Sequence, residues 1–198
     1  MVRILGKASS INVRKVLWTC AELDIAFERE DSGAALALNP NAMVPVLVDG
    51  DLVLWESNTI CRYLASRYGE GSLLPVDAVA RARVEQWMDW QATELNNSWR
   101  YAFMALVRGS LAHTDPVQVG ASIANWNRHM GMLDARLAQT GAYAAGAQFT
   151  LADVVLGLSL NRWLMTPIER PDYPALRAYA ERLRQRPGCR EFGLNGLA

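Results

Sequence analysis

The sequence contains few of the residues that build metal and redox sites. Its three cysteines, Cys20, Cys61 and Cys189, form no Cys-x-x-Cys pair, which argues against a disulfide framework, a zinc site or thioredoxin-type redox chemistry. The two histidines, His113 and His129, cannot hold a metal on their own. We therefore expect no metal and no cysteine nucleophile. Cys20 and Cys61 should be core residues, whereas Cys189 follows a Pro-Gly turn and should be more exposed.

Net charge and long apolar runs are also lacking. Lys and Arg number 20, as do Asp and Glu, so the chain has no global field that would attract nucleic acid or an anionic membrane. No run approaches the roughly 18 apolar residues of a membrane span, and the first residues lack the apolar region of a signal peptide. With 198 residues and 51% hydrophobic positions, we expect a folded cytoplasmic protein of one large or two small domains.

The first 75 residues change their hydrophobic period several times, as expected of a mixed α/β unit. A short strand is followed by a helical stripe, a second strand, two apolar runs around Asp49-Gly50-Asp51 that predict a hairpin, and a second helix. The predicted order is βαβ-ββα. The segments are the strand 2–5, the helix 13–23, the strand 25–28, the hairpin strands 44–48 and 52–55, and the helix after 56–58.

Beyond this unit the pattern is helical throughout. Gly69, Gly71 and Pro75 interrupt the second helix and mark the most plausible boundary. Apolar stripes predict helices over 80–108, 116–139, from 150 to about 160, and 173–186. The sequence thus predicts α/β plus all-α architecture, with a domain over 1–75 and an all-helical domain over 81–198.

The turn before the first helix carries Ser10 and Asn12. A hydroxyl and an amide at the positive end of a helix favour an anion, such as a ligand's thiolate. The alternative is that either side chain merely caps the helix, and the residues alone leave both open.

Two further segments could bind a peptide-like ligand. A cis Val44-Pro45 bond would turn Val44 outward to pair with an extended ligand, whereas a trans proline would simply open an edge strand. Glu56 and Ser57 at a helix start suit the ammonium and carboxylate of an α-amino acid, unless Ser57 only caps its helix.

In the helical part, large side chains are the candidates for a second ligand. Trp99, Phe103 and Arg108 end the long helix with apolar bulk on more than one face, and could line a pocket or a subunit contact. Trp163 is a further candidate, although burial is the usual role of a tryptophan within a helical stripe. Thr150-Leu151-Ala152-Asp153 is typical of a structural capping box.

In this order, four segments resemble the cytosolic glutathione transferase family over nearly the whole chain. They are Ser10 with Arg14, the segment 39–47, the segment 54–64 and Phe149-Thr150-Leu151-Ala152-Asp153. The spacing of Ser10 and Arg14 is similar to the theta and delta branches, and Ser10-Ile11-Asn12 is similar to the bacterial nu-type Thr-x-Asn pattern. Two departures are Met43, where many relatives have Lys, Arg or Gln, and Ala42, where Gly is common.

The resemblance implies a thioredoxin-like N-terminal domain with a cis-proline, a helical-bundle C-terminal domain and a homodimer. It implies that Ser10, helped by Asn12, faces the thiol of the co-substrate glutathione, that Val44 and Pro45 hold its cysteinyl unit, and that Glu56 and Ser57 hold its γ-glutamyl group. The expected reaction is conjugation of glutathione to small hydrophobic electrophiles in detoxification. Glutathione-dependent reduction of disulfides or peroxides and a non-enzymatic binding scaffold are the alternatives.

Overall fold

The computed structural model describes residues 1–31, 33 and 37–197. Its strands are β1 (Val2–Leu5), β2 (Phe27–Glu30), β3 (Val46–Asp49) and β4 (Leu52–Trp55). Its helices are α1 (Ile11–Glu22), α2 (Ser57–Tyr68), α3 (Ala78–Trp90), α4 (Asn96–Leu106), α5 (Pro116–Thr140), α6 (Leu151–Met165) and α7 (Pro174–Arg184). Two π-helical turns cover Gln91–Leu95 and Cys189–Gly193.

The four strands form one mixed sheet in the order β2-β1-β3-β4. β1 runs parallel to β2 and antiparallel to β3, and β3 pairs antiparallel with β4. The hairpin turns at Gly50, whose φ of +60° suits a residue without a side chain. The predicted order of strands and helices is confirmed, and β3 begins at Val46 because Pro45 has no N–H to donate to the ladder.

A single apolar core joins the sheet and α1 to the helical part of the chain. Trp18 of α1 is completely buried. A Cβ on Gly157 of α6 or on Gly193 would lie 2.9 Å or 2.7 Å from its ring, so these glycines let the tryptophan fit. The second half of α1 is thereby held against the helical bundle.

The long helix predicted over 80–108 is found as a continuous helical run over 78–106, but a π-helical turn interrupts its α-helical geometry. The π-helical turn at Gln91–Leu95 separates α3 from α4 and places Gln91 in the interior, where it is 1% exposed. Gln91 Nε2 donates to Asn96 Oδ1 and to Ser159 Oγ, each at 2.9 Å. The apolar stripe continues across such a turn, so periodicity alone does not reveal it.

Cys189 is also a correction, because it is fully buried like Cys20 and Cys61. It begins the second π-helical turn, which packs against α1 and α6 rather than facing solvent. Burial raises the pKa of all three thiols, of Cys20 to about 12 and of Cys61 to about 11. Inert core thiols are what the sequence predicted for Cys20 and Cys61.

The start of α6 has the predicted capping box of Thr150 and Asp153. Asp153 accepts hydrogen bonds from the Thr150 N–H at 2.8 Å, from the Ala144 N–H at 3.0 Å and from the Tyr179 hydroxyl at 2.8 Å. These bonds anchor α6, which runs under the cavity described below. Among the described residues, no helix combines the length and apolarity needed to span a membrane.

Candidate functional site

Ser10 occupies the cap position of α1, yet its hydroxyl does not cap the helix. Its backbone is extended, its N–H donates to Lys7 O at 3.0 Å, and its side chain makes no capping hydrogen bond. The hydroxyl is half-buried at the helix end that carries positive charge. Simple capping therefore does not account for Ser10.

The loop before α1 touches the segment that precedes β3. A Cβ on Gly6, whose φ is +143°, would lie 2.6 Å from Val13 Cγ2 and 2.9 Å from Val44 Cβ, so only glycine allows this approach. The Val44-Pro45 bond is cis. Among the described residues, neither the N–H nor the C=O of Val44 has a backbone partner, which leaves both for a ligand.

Glu56 and Ser57 approach the same end of α1. Glu56 has a φ of +71° and is exposed, and Ser57 is 7% exposed. Neither side chain caps α2; instead, Ser57 Oγ lies 3.5 Å from Asn12 Oδ1. The structure thus brings Asn12 to Ser57 and Gly6 to Val44, around the loop that ends at Ser10.

A cleft of about 320 Å³ opens on the Val44 side of this loop. Gly6 and Lys7 line one wall, and Ala42, Met43 and Val44 line another. Met43, which stands where many relatives have Lys, Arg or Gln, is 61% exposed and therefore lies at the rim of this cleft.

A second cavity, of about 180 Å³, opens on the other side, between α1 and the helical bundle. Asn12 and Lys15 contribute the α1 wall, and Gln91, Trp99 and Arg162 contribute part of the opposite wall. Lys15 Nζ donates to Gln91 Oε1 at 3.0 Å and to Asn58 Oδ1 at 3.2 Å. Burial lowers the pKa of Lys15 to about 8.

Arg162 lines this cavity and packs against two neighbouring aromatic rings. Its guanidinium carbon is 4.5 Å from the Trp99 ring centre and 4.2 Å from that of Phe103, which are cation–π distances. The guanidinium carbon of Arg108 also lies over the Phe103 ring, 5.4 Å from its centre. Burial, and then the charges of Arg14 and Arg108, lower the pKa of Arg162 to about 9.

The four side chains predicted for a second ligand are therefore only partly brought together. Trp99 lines the cavity. Phe103 does not line it, but its ring makes cation–π contacts with Arg162 and with Arg108. Trp163 lies elsewhere, in a separate cleft of about 250 Å³ where it stacks on Tyr173.

Lys15, Gln91 and Arg162 were missed as site residues by the sequence interpretation. Arg162 carries a signal that could have found it: it interrupts an apolar helix and has no acidic residue three or four positions away. Lys15 and Gln91 give no comparable signal, because each also suits a solvated helical face.

Known proteins resemble this chain both in its parts and over nearly its whole length. The family model for the glutathione S-transferase N-terminal domain matches residues 5–72, and the model for its C-terminal domain matches residues 111–182. Glutathione S-transferase GstB of Escherichia coli is 34% identical over 96% of this chain and 97% of its own. Glutathione S-transferase 3 of Zea mays is 35% identical over 76% of this chain and 68% of its own.

A solved structure is similar along the whole chain. The theta class glutathione S-transferase of the citrus canker pathogen Xanthomonas axonopodis pv. citri, with glutathione bound, superimposes with a TM-score of 0.90. It is 37% identical and covers 100% of this chain and 99% of that one. The predicted fold class, a thioredoxin-like domain followed by a helical one, is thereby confirmed, and this chain belongs to the glutathione S-transferase family.

Proposed function

We propose that this protein conjugates glutathione to small electrophiles, with the Ser10 hydroxyl stabilising the glutathione thiolate. The observation that carries the proposal is the Ser10 side chain itself, which stands at the positive end of α1 without serving as its cap. A hydroxyl left out of capping at such a position is available to donate to an anion.

Glutathione is an extended tripeptide with a charged γ-glutamyl end, and the proposed site offers a partner for each part. The unpaired N–H and C=O of Val44, next to Pro45, suit the backbone of the cysteinyl unit. Glu56 suits the α-ammonium group, and Ser57 with the start of α2 suits the α-carboxylate. Asn12, 3.5 Å from Ser57, supports that hydroxyl.

The reaction needs only a thiolate and an electrophilic carbon. The thiol proton leaves to solvent, the sulfur forms a bond to carbon, and a leaving group departs with its electron pair, or the electrons move into the acceptor in an addition. A hydrogen bond from a neutral hydroxyl to the thiolate contributes about 1.5–3 kcal/mol, which lowers a thiol pKa of about 8.5 by roughly one to two units. At pH 7 this shift ionises roughly a quarter to three quarters of the bound thiol.

Calorimetry tests glutathione binding, and a coupled absorbance assay with 1-chloro-2,4-dinitrobenzene tests conjugation. We expect saturable glutathione binding and turnover above the uncatalysed rate. No heat of binding at millimolar glutathione would overturn the proposal.

We further propose that the protein works as a cytoplasmic homodimer. Leu52, Val53 and Trp55 expose apolar surface on the edge strand β4, and an exposed apolar edge favours a partner. The cysteines are all free and buried, which suits a reducing compartment. Sedimentation equilibrium should give twice the chain mass of 21.9 kDa, and a monomer at assay concentration would contradict this proposal.

A further inference from the structure

The cavity between α1 and the helical bundle is cationic and polar. Its charged lining groups are Lys15, Arg100 and Arg162, and its neutral polar ones are Asn12, Gln91, Asn96 and Asn97. Among the described residues, no acidic side chain lines it. Apart from Ile11 and Ala92, every lining side chain can donate a hydrogen bond.

Arg162 has no counter-ion within the described part of the chain. Although Arg162 is only 5% exposed, no carboxylate of the described residues lies within ion-pair distance of it, and none of their side chains hydrogen-bonds its guanidinium. Its Nε is a buried donor without a partner. Buried arginines are normally paired, because an unpaired buried charge is strongly unfavourable.

The rest of the neighbourhood increases the positive potential. Arg14 and Arg108 act on Arg162 as like charges, and Lys15 is in turn affected by Arg162. Arg14 differs from Arg162 in having neutral partners, since it donates to Asn195 Oδ1 at 2.6 Å and to Leu197 O at 2.8 Å. Of the described carboxylates, Glu56 alone acts favourably on Lys15, and its effect is the smallest of the causes of that shift.

We propose that this cavity binds the second substrate by a carboxylate, so that the preferred electrophiles are anionic as well as aromatic or small. This inference rests on the conjugation function proposed above and specifies its substrate class. The carboxylate would pair with Arg162 and Lys15, the Trp99 ring would pack on the body of the electrophile, and the reacting carbon would face the start of α1. Two cations and several amide donors make the charge-assisted hydrogen bonds that a carboxylate requires.

A matched pair of electrophiles tests the proposal. They are 4-chloro-3,5-dinitrobenzoate and 4-chloro-3,5-dinitrobenzamide, which react alike: the glutathione sulfur bonds to the ring carbon, chloride leaves with its electron pair, and the thiol proton goes to solvent. For each probe, kcat/KM is divided by the rate constant of the uncatalysed reaction with glutathione, to remove the difference in intrinsic reactivity. We expect this corrected value to favour the carboxylate by about tenfold or more.

Substitutions then locate the effect. Arg162→Met keeps much of the side-chain volume beside the Trp99 and Phe103 rings and removes the charge. The ratio of the corrected values for the carboxylate and the amide should then fall to near unity. Lys15→Met should reduce it by a smaller factor, and provides a second variant if Arg162→Met does not fold. Arg170→Gln is the matched control, because Arg170 also stacks on a tryptophan, Trp163 at 5.6 Å, but lies in the separate cleft. It should leave the preference unchanged.

A corrected value that is equal for the two probes, or a preference that survives in both Arg162→Met and Lys15→Met, would overturn the inference. A raised KM for glutathione in Arg162→Met with an unchanged preference would also overturn it, since the cavity would then hold a glutathione carboxylate.

Failure of the conjugation function would be seen separately, as absence of turnover with both probes. In that case calorimetry with the unreactive pair 3,5-dinitrobenzoate and 3,5-dinitrobenzamide, in the presence of S-methylglutathione, still decides. Tighter binding of the carboxylate that Arg162→Met abolishes supports the inference, and equal binding of the two refutes it.

Discussion

The two sides of the start of α1 are built in different ways. On the Val44 side, the proposed glutathione contacts come from loop ends and from backbone groups, brought together by the approach of Gly6 to Val44. On the bundle side, the contacts proposed for the electrophile come from long side chains of α1, the π-helical turn and α6, all of them buried. The first side depends on backbone conformation, and the second on charged groups that helix packing holds away from water.

The largest effect should come from Gly6→Ala, which breaks the first side. The added methyl group would overlap Val13 and Val44, and the φ of +143° would be strained in any other residue. Together these should lower the free energy of unfolding by about 4 kcal/mol, measured by urea denaturation. Gly50→Ala is the control: its φ is +60° with nothing within 4 Å, so it should lower that free energy by only about 1 kcal/mol. Equal losses would contradict the close approach.

The second-largest effect concerns Asp153, which anchors the start of α6 and thereby the helix that carries Arg162. Burial raises the pKa of Asp153 to about 6, despite the hydrogen bonds that it accepts. Its unfolded pKa is about 3.9, so the protonated form favours the folded state. This stabilisation is complete below about pH 4 and is lost as the pH rises through about 6, and amounts to about 3 kcal/mol.

The measurement is the free energy of unfolding between pH 4 and pH 7 for the protein and for Asp153→Asn. Subtracting the free energy of unfolding of the variant from that of the protein cancels the titration of other groups. This difference in free energy should fall as the pH rises. A difference that is constant or rises over this range would show that Asp153 is ionised in the folded protein.

A third effect separates catalysis from capping on the first side. Ser10→Ala should lower kcat for conjugation by about tenfold or more and leave the free energy of unfolding nearly unchanged, because the hydroxyl makes no capping bond. Asp77→Ala is the matched control at another cap position, where Asp77 Oδ1 accepts from the Ala80 N–H at 2.9 Å. It should lower stability by about 1 kcal/mol and leave turnover unchanged. The opposite pattern would mean that Ser10 is only a cap.

The smallest effect is expected for Ser57→Ala. Loss of one hydrogen bond to the glutathione carboxylate should raise the Kd of glutathione about fivefold, with kcat at saturation little changed. Calorimetry measures the Kd, and Thr59→Ala, at an exposed position two residues onward without a proposed contact, serves as the control. A fall in kcat with an unchanged Kd would exclude Ser57 from glutathione binding.

The difference between the two sides also explains what the sequence could predict. The residues of the Val44 side could be predicted from short motifs, because Pro45, Ser10 and the Glu56-Ser57 pair each act through the local backbone. Gly6 gives no such local signal, because its requirement for glycine arises from Val44, which is distant in sequence.

The second side depends on how helices pack, which no local pattern records. The π-helical turn turns Gln91 inward to Lys15, and α6 carries Arg162 under Trp99. Trp99 was predicted and Arg162 interrupts an apolar helix, whereas Lys15 and Gln91 also suit a solvated helical face.

The central claim is that the glutathione thiol lies beside the Ser10 hydroxyl. The most direct test is the ultraviolet absorbance of the bound thiolate as a function of pH, for the protein and for Ser10→Ala at saturating glutathione. The account predicts that binding lowers the thiol pKa by roughly one to two units from about 8.5, and that Ser10→Ala removes most of that shift. A bound thiol that titrates as in free glutathione, or an identical shift in the variant, would contradict it.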